Sequence, residues 1–220
     1  MDQARLFPES DASIGSVEQE LRAQGLRTVI GVDEAGRGPL AGPVHAGAFW
    51  LDLQATLPAC FQTLDDSKKI KEAEREELFE QLQLLDMPMA VGVADSAVVD
   101  EINILQATFQ AMRAAVLEVI AEVGEEPDLI LVDGKMIIPN LDSQQQAFVK
   151  GDGRSYAIAA ASILAKVSRD RIMRAAAEKW PQYGFESNKG YGSKSHRLAI
   201  RRFGPTPIHR RSFAGVLPES

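Results

Sequence analysis

Four carboxylates in this 220-residue chain stand where apolar runs end. Asp33 closes VIGVD, Asp133 closes LILVD, Glu34 follows Asp33 directly, and Asp152 sits in VKGDG after another apolar segment. Acids brought within a few ångströms repel, so a cluster of them needs a cation. With only carboxylate oxygens as donors, the hard ions Mg²⁺ and Mn²⁺ fit best. A purely carboxylate site suits two-metal phosphoryl transfer, in which one ion activates water and the other stabilises the leaving oxygen. His45, His196 and His209 show no ligand spacing, which argues against zinc. Each acid also has a plainer use. Asp152 can N-cap the helix that follows, Asp133 before Gly134 can start a turn, and Asp33-Glu34 can be a solvated loop. Three acids at matching element ends favour the cluster.

Directly behind the first pair comes Gly36-Arg37-Gly38. Glycines remove Cβ atoms so that backbone amides can approach a phosphate or a hydroxyl, and an arginine adds a charged fork. As a bare pattern this is usually just a turn. Tyr191, between glycines in KGYGSK, is by the same standard a loop aromatic. The net charge is −7, yet residues 187–220 hold seven Lys or Arg and one acid, a local +6 that leaves −13 on residues 1–186. Such asymmetry is the usual footprint of a face that meets phosphates; a solvated basic tail is the alternative.

The elements that must position these residues are legible from periodicity. Strands are expected at 28–33, 43–51, 87–95, 128–133 and 146–150. Strands buried on both faces read as continuous apolar runs, and if 28–33 and 128–133 are parallel neighbours, both acids reach the same sheet end, where open α/β sheets place ligands. Residues 71–85 read as a surface helix. Val98, Ile102, Leu105, Phe109, Met112, Val116, Val119 and Val123 form one stripe, predicting a single long helix. A third, at about 154–178, is crowded with small residues that let a backbone pack closely. This order indicates an α/β domain with a mixed sheet flanked by helices. Residues 1–27 read as a leader with a short helix around SVEQELRAQ, residues 28–203 as the main domain, and residues 204–220 as a tail near the substrate face.

The 45% hydrophobic and 25% charged content is that of a globular domain with a real core. No run of eighteen apolar residues predicts a membrane span, the acidic N-terminus lacks the h-region of a secretory signal, and Cys60 is alone, which excludes an internal disulfide and a cysteine-based zinc site. A cytoplasmic location is the expectation.

The segments DEAGRGPLAGPV, DDSKKI, INILQATFQAM, LVDGK, KGDGRSYAIAAASILAKVSRDR, YGFESNKGYGSKSH and GPTPIHRRSF resemble, in order, bacterial ribonuclease HII, the type 2 ribonuclease H, over residues 29–213. The resemblance implies a ribonuclease H-like fold with a small C-terminal helical element. It implies cleavage of RNA in RNA–DNA hybrids and incision of DNA 5′ of embedded ribonucleotides by two-metal-ion catalysis, with two Mn²⁺ or Mg²⁺ ions per site during catalysis held by Asp33, Glu34, Asp133 and Asp152. It makes Gly36, Arg37 and Gly38 the grip on the RNA–DNA junction, Tyr191 a reader of the junction sugar, and Ser67, Lys68 and Lys69 backbone contacts. Asp170, in SRDR, is not one of the four ligands and reads as an ion-pairing residue. FAGVLPES offers no clear clamp-binding peptide, so clamp association is not expected; the chain is expected to be a monomer. A different nuclease of the same fold, or a hybrid-binding module without catalysis, are the alternatives. The Gly-Arg-Gly turn and Tyr191 oppose the first, and the filled acid set opposes the second.

Overall fold

The computed structural model describes residues 13–64 and 70–217. Five strands form one sheet: β1 (Thr28–Ala35), β2 (Val44–Asp52), β3 (Met89–Ala94), β4 (Leu129–Asp133) and β5 (Gln145–Phe148), in the order β3-β2-β1-β4-β5. β1 pairs antiparallel with β2 and parallel with β4; β4 pairs parallel with β5 and β2 antiparallel with β3. The mixed sheet expected from the order of the runs is what forms.

Strand alternation sorts the side chains onto two cores. Val29, Leu129 and Leu131 face α4 (Tyr156–Lys179), together with α1 (Ser16–Ala23) and α2 (Glu72–Gln83), while Ile30, Val32, Ile130 and Val132 face α3 (Ser96–Val123). The small-residue helix comes as close as its composition allows. A Cβ on Gly31 would lie 2.1 Å from the Ala157 carbonyl carbon, and one on Gly47 2.1 Å from the Ala161 oxygen. Only glycine fits at these two positions beneath the helix. The N-cap is Ser155, whose side chain accepts from the Ile158 amide.

Within residues 1–27, set apart by the sequence as a leader, α1 joins the core. Val17 and Leu21 are buried, and Glu18 accepts from Ser155 Oγ at 2.6 Å and the Ala157 amide at 3.1 Å. One expectation needs correction. The stripe from Val98 to Val123 is not one continuous helix: α3 breaks at Asn103, at φ 66° and ψ 163°. The Asn103 side chain accepts from the Leu105 and Gln106 amides at 3.0 and 3.2 Å, capping the second segment. α3 is long and apolar enough to cross a membrane by composition, yet here it covers one face of the sheet.

α5 (Phe185–Asn188) and α6 (Lys194–Phe203) follow α4, and around them Leu40, Ala41, Met173, Tyr183, Phe185 and Ile200 make a smaller third core. Beyond Gly204 the described chain runs in turns, bridged to the loop after β1 at Ala41 and His209.

Candidate active site

The parallel register of β1 and β4 runs Val29↔Leu129 to Val32↔Val132. The next residue on each strand is an acid. Both acids therefore leave the sheet at one end, and alternation points both toward α4. Asp33 is buried, and its carboxyl is held well above the ordinary carboxylate range by burial, then by the charges of Asp133 and Glu34. Hydrogen bonds from Ser162 on α4 and from the Glu34 amide (2.7 Å) oppose that rise. Asp133 accepts from the Gly151 amide at 2.7 Å, which ties it to the segment carrying the buried Asp152. Asp152 lies in a short 3-10 turn, Gly151–Gly153, and the helix cap belongs to Ser155, so the capping explanation for Asp152 falls away.

Asp33, Glu34 and Asp133 thus interact, with Asp152 beside them on the chain segment bonded to Asp133. Among the described residues no three His, Cys, Asp or Glu side chains already converge as a closed metal cage. The donor chemistry nevertheless fits a hard cation. The donors are all oxygens, and a divalent ion would offset both the burial and the carboxylate repulsion that raise the Asp33 carboxyl. Asp170 pairs with Lys166 at 2.7 Å, in keeping with an ion-pairing role.

The Gly-Arg-Gly turn is built from beneath by two buried arginines. Arg210 donates to the carbonyls of Gly36 (2.6 Å), Arg37 (2.9 Å), Pro39 (2.9 Å) and Gly42 (3.0 Å). Arg169 donates to Pro43 (2.9 Å) and Ala41 (3.2 Å). Six carbonyls of one loop are drawn inward. All peptide bonds here are trans, so each amide points opposite to the preceding carbonyl. The amides of Arg37 and Gly38 therefore face outward, away from Arg210. Gly36, at φ 99°, sits where L side chains rarely go. The Arg37 side chain is exposed and reaches Glu34 at 3.3 Å, so the acid pair does have a basic neighbour.

Tyr191 is half exposed, and its ring lies 3.5 Å from where a Cβ on Gly38 would be. The turn and the tyrosine, 153 positions apart in the sequence, stand side by side. Ser67, Lys68 and Lys69 lie outside the described residues. The basic segment divides: Arg201 and Arg202 are exposed, but Lys189 and Arg210 are buried and bind backbone carbonyls. Part of the +6 is therefore internal scaffolding rather than a phosphate-facing surface. Sequence reasoning missed Ser162, Arg169 and Arg210. Ser162 had a signal, a lone hydroxyl in an alanine-rich turn of helix; the arginines had none that separates them from surface cations.

The chain matches the family of ribonuclease HII over residues 30–216. It is 49% identical to a ribonuclease HII of Geobacter sulfurreducens, an alignment covering 94% of this chain and 92% of that one. Its fold superposes on ribonuclease H2 of Pyrococcus horikoshii OT3 with a TM-score of 0.67 at 27% identity, over 86% and 95% of the two chains. It likewise superposes on Bst-RNase HIII, solved in complex with Mn²⁺, with a TM-score of 0.72 at 20% identity, over 89% of this chain and 70% of that one. The parallel strands ending in paired acids belong to a ribonuclease H-like fold, and the chain is a member of the ribonuclease HII family, a type 2 ribonuclease H.

Proposed function

We propose that this endonuclease incises DNA on the 5′ side of embedded ribonucleotides and cleaves the RNA strand of RNA–DNA hybrids in the cytoplasm, initiating ribonucleotide removal. The observation that carries this reading is the juxtaposition of an outward amide pair, Arg37 and Gly38, with the Tyr191 ring, beside the end of the sheet where Asp33 and Asp133 meet.

Asp33, Glu34, Asp133 and Asp152 would hold one or two Mg²⁺ or Mn²⁺ ions. When bound, the ions would supply an activated water and charge stabilisation for the leaving 3′-oxygen, leaving a 3′-hydroxyl and a 5′-phosphate. The protein's own residues do the rest. Outward amides donate to the 2′-hydroxyl, the group that separates RNA from DNA. The Tyr191 ring packs on the neighbouring deoxyribose, on the face that carries no 2′-oxygen, and so favours a junction over a continuous RNA strand without barring the latter. Arg37, held near Glu34, places a guanidinium where a backbone phosphate must pass. Ser67, Lys68 and Lys69 are proposed as further backbone contacts. The chain acts as a monomer without a clamp partner.

The test is a duplex carrying one ribonucleotide, incubated with Mg²⁺, with Mn²⁺ and with chelator. Cleavage only with metal, at the 5′ side of the ribonucleotide and with a 5′-phosphate product, is expected. Cleavage confined to all-RNA strands of hybrids would overturn the junction-reading part of the proposal.

A further inference from the structure

Two buried histidines connect the two halves of the proposed reader. His196 is fully buried and His209 nearly so. Their Nε2 atoms are 3.0 Å apart. His196 Nδ1 lies 2.9 Å from the Tyr191 carbonyl, and His209 Nδ1 lies 2.9 Å from the Thr206 amide and 2.8 Å from Thr206 Oγ1.

These partners leave one consistent arrangement of protons. The Tyr191 carbonyl can only accept, so His196 Nδ1 carries the proton and its Nε2 is bare. The Thr206 amide can only donate, so His209 Nδ1 is bare and its Nε2 carries the proton. That proton is donated to His196 Nε2. The chain runs Thr206 N–H to His209, His209 to His196, and His196 to the Tyr191 carbonyl, each ring with one nitrogen donating and the other accepting; the Thr206 hydroxyl shares His209 Nδ1 with the amide. Protonating either ring would set two donors against each other or against the Thr206 amide. Burial lowers the pKa of both rings, and His196 lowers that of His209 further, to about 4, which keeps the arrangement neutral near pH 7. Aromatic rings close around the pair: Phe185 lies 5.3 Å from His196 and Tyr183 5.1 Å from His209.

Arg210 follows His209 in the chain and holds the carbonyls of Gly36 and Arg37. The contacts therefore close a ring, from Tyr191 through His196, His209 and Arg210 to the Gly-Arg-Gly turn, and back across Gly38 to the Tyr191 ring. Backbone bonds from Leu40 to Gly190 (2.8 Å) and from Arg210 to Leu40 (2.9 Å) run alongside.

We infer that His196 and His209 are positioning residues that set the separation between the outward amides of the turn and the Tyr191 ring, and so tune selectivity for a DNA–RNA junction over a continuous RNA strand. The inference rests on the junction-reading function proposed above. A single-ribonucleotide substrate uses both halves of the reader. An all-RNA strand offers no deoxyribose to the tyrosine, so losing the ring's placement costs it less.

The experiment compares wild type, His209→Ala and His209→Gln, well below each protein's melting temperature, on a single-ribonucleotide duplex and an RNA–DNA hybrid. Glutamine can place its amide nitrogen where Nε2–H donates; alanine cannot. For His209→Ala the ratio of kcat/KM on the two substrates should shift about ten- to hundredfold against the single ribonucleotide. His209→Gln should recover much of that ratio. An equal fall on both substrates marks His209 as merely structural and overturns the inference, as does an unchanged ratio. If His209→Ala does not fold, His209→Gln and the ¹⁵N chemical shifts of the wild-type histidines decide. Shifts showing the same tautomer in both rings contradict the chain of donors. A wild type that leaves the single-ribonucleotide duplex intact removes the function itself, an outcome distinct from all of these.

Discussion

The two glycines of the Gly-Arg-Gly turn should respond oppositely to alanine. A Cβ on Gly36 would lie 2.1 Å from Arg169 Nε, 2.4 Å from its Cδ and 2.8 Å from the Pro43 carbonyl. Arg169 cannot step aside freely, because it is buried and bound to Pro43 and Ala41. Alanine at a left-handed φ costs about 1–2 kcal/mol, and a charge-assisted hydrogen bond lost by Arg169 costs about 1.5–3 kcal/mol. With one such bond lost, Gly36→Ala should destabilise the fold by about 2.5–5 kcal/mol, a fall in Tm on the order of 5–20 °C for a chain of this size. Gly38 differs. Its φ is not in the left-handed region, and its added Cβ would meet only the Tyr191 ring, at an ordinary 3.5 Å. Gly38→Ala should melt within a degree or two of wild type while losing cleavage, because the methyl stands where a nucleic-acid strand must approach the outward amide. Thermal melts followed by circular dichroism in chelator, paired with cleavage of a single-ribonucleotide duplex, read both effects. Equal melting of Gly36→Ala and wild type would refute the arginine-clamped loop. A Gly38→Ala protein that is stable and fully active would refute the approach of substrate over that residue.

Other outcomes follow from the same contacts. Asp133→Asn should abolish cleavage while leaving stability in chelator unchanged or slightly higher, because it relieves the repulsion on Asp33 and keeps an oxygen for the Gly151 amide; a clear loss of Tm would make Asp133 a structural residue. The raised Asp33 carboxyl also means that the metal-free fold holds a proton there to higher pH than the unfolded chain does, so its contribution falls as pH rises above the ordinary aspartate range; Asp133→Asn should flatten that slope in pH-dependent melts. His45 has the opposite sign: burial and then Arg169 lower it to about 4, so its contribution is intact above pH 6.5 and is lost as pH falls toward 4. At about 1.4 kcal/mol per pKa unit, His45→Gln should remove roughly 3 kcal/mol of acid sensitivity across that window; an identical acid limb in denaturant titrations would show that His45 does not carry it. Neutralising the exposed Arg201 and Arg202 together should lower the slope of log affinity against log salt by roughly 0.9 for each phosphate they touch, and an unchanged slope excludes both as phosphate ligands.

The parts of the architecture that were legible in the sequence are those set by repetition. Apolar runs ending in Asp33 and Asp133 are strands because a doubly buried strand tolerates polarity only at its ends, and the matching endings put both acids at one end of the sheet on the condition, met in the fold, that the two strands are parallel neighbours. The crowded alanines of α4 announced close packing, which the clash of any Cβ on Gly31 or Gly47 makes concrete. What escaped depends on partners remote in sequence. Asn103 looks like one more polar position on a helix until its side chain is seen to cap the next turn. Arg169 and Arg210 look like surface cations, and their burial is set by loop carbonyls 126 to 174 residues away. His196 and His209 showed no metal-ligand spacing, and they are instead each other's partners. The site was readable as an inventory of acids and glycines; the scaffold that aims it was not.

The most direct test of the account is the rate at which Tyr191→Ala and Tyr191→Phe cut a duplex with a single ribonucleotide, beside wild type under identical Mg²⁺. The ring borders the turn at Gly38 and contributes no carboxylate. Tyr191→Ala should therefore lose about one to three orders of magnitude in rate, or about 1.4 kcal/mol per factor of ten, with Mn²⁺ binding nearly unchanged. Tyr191→Phe should fall between, keeping the packing surface and losing the hydroxyl. A Tyr191→Ala protein that cuts this substrate at the wild-type rate would show that Tyr191 is a loop aromatic and that the junction is read elsewhere.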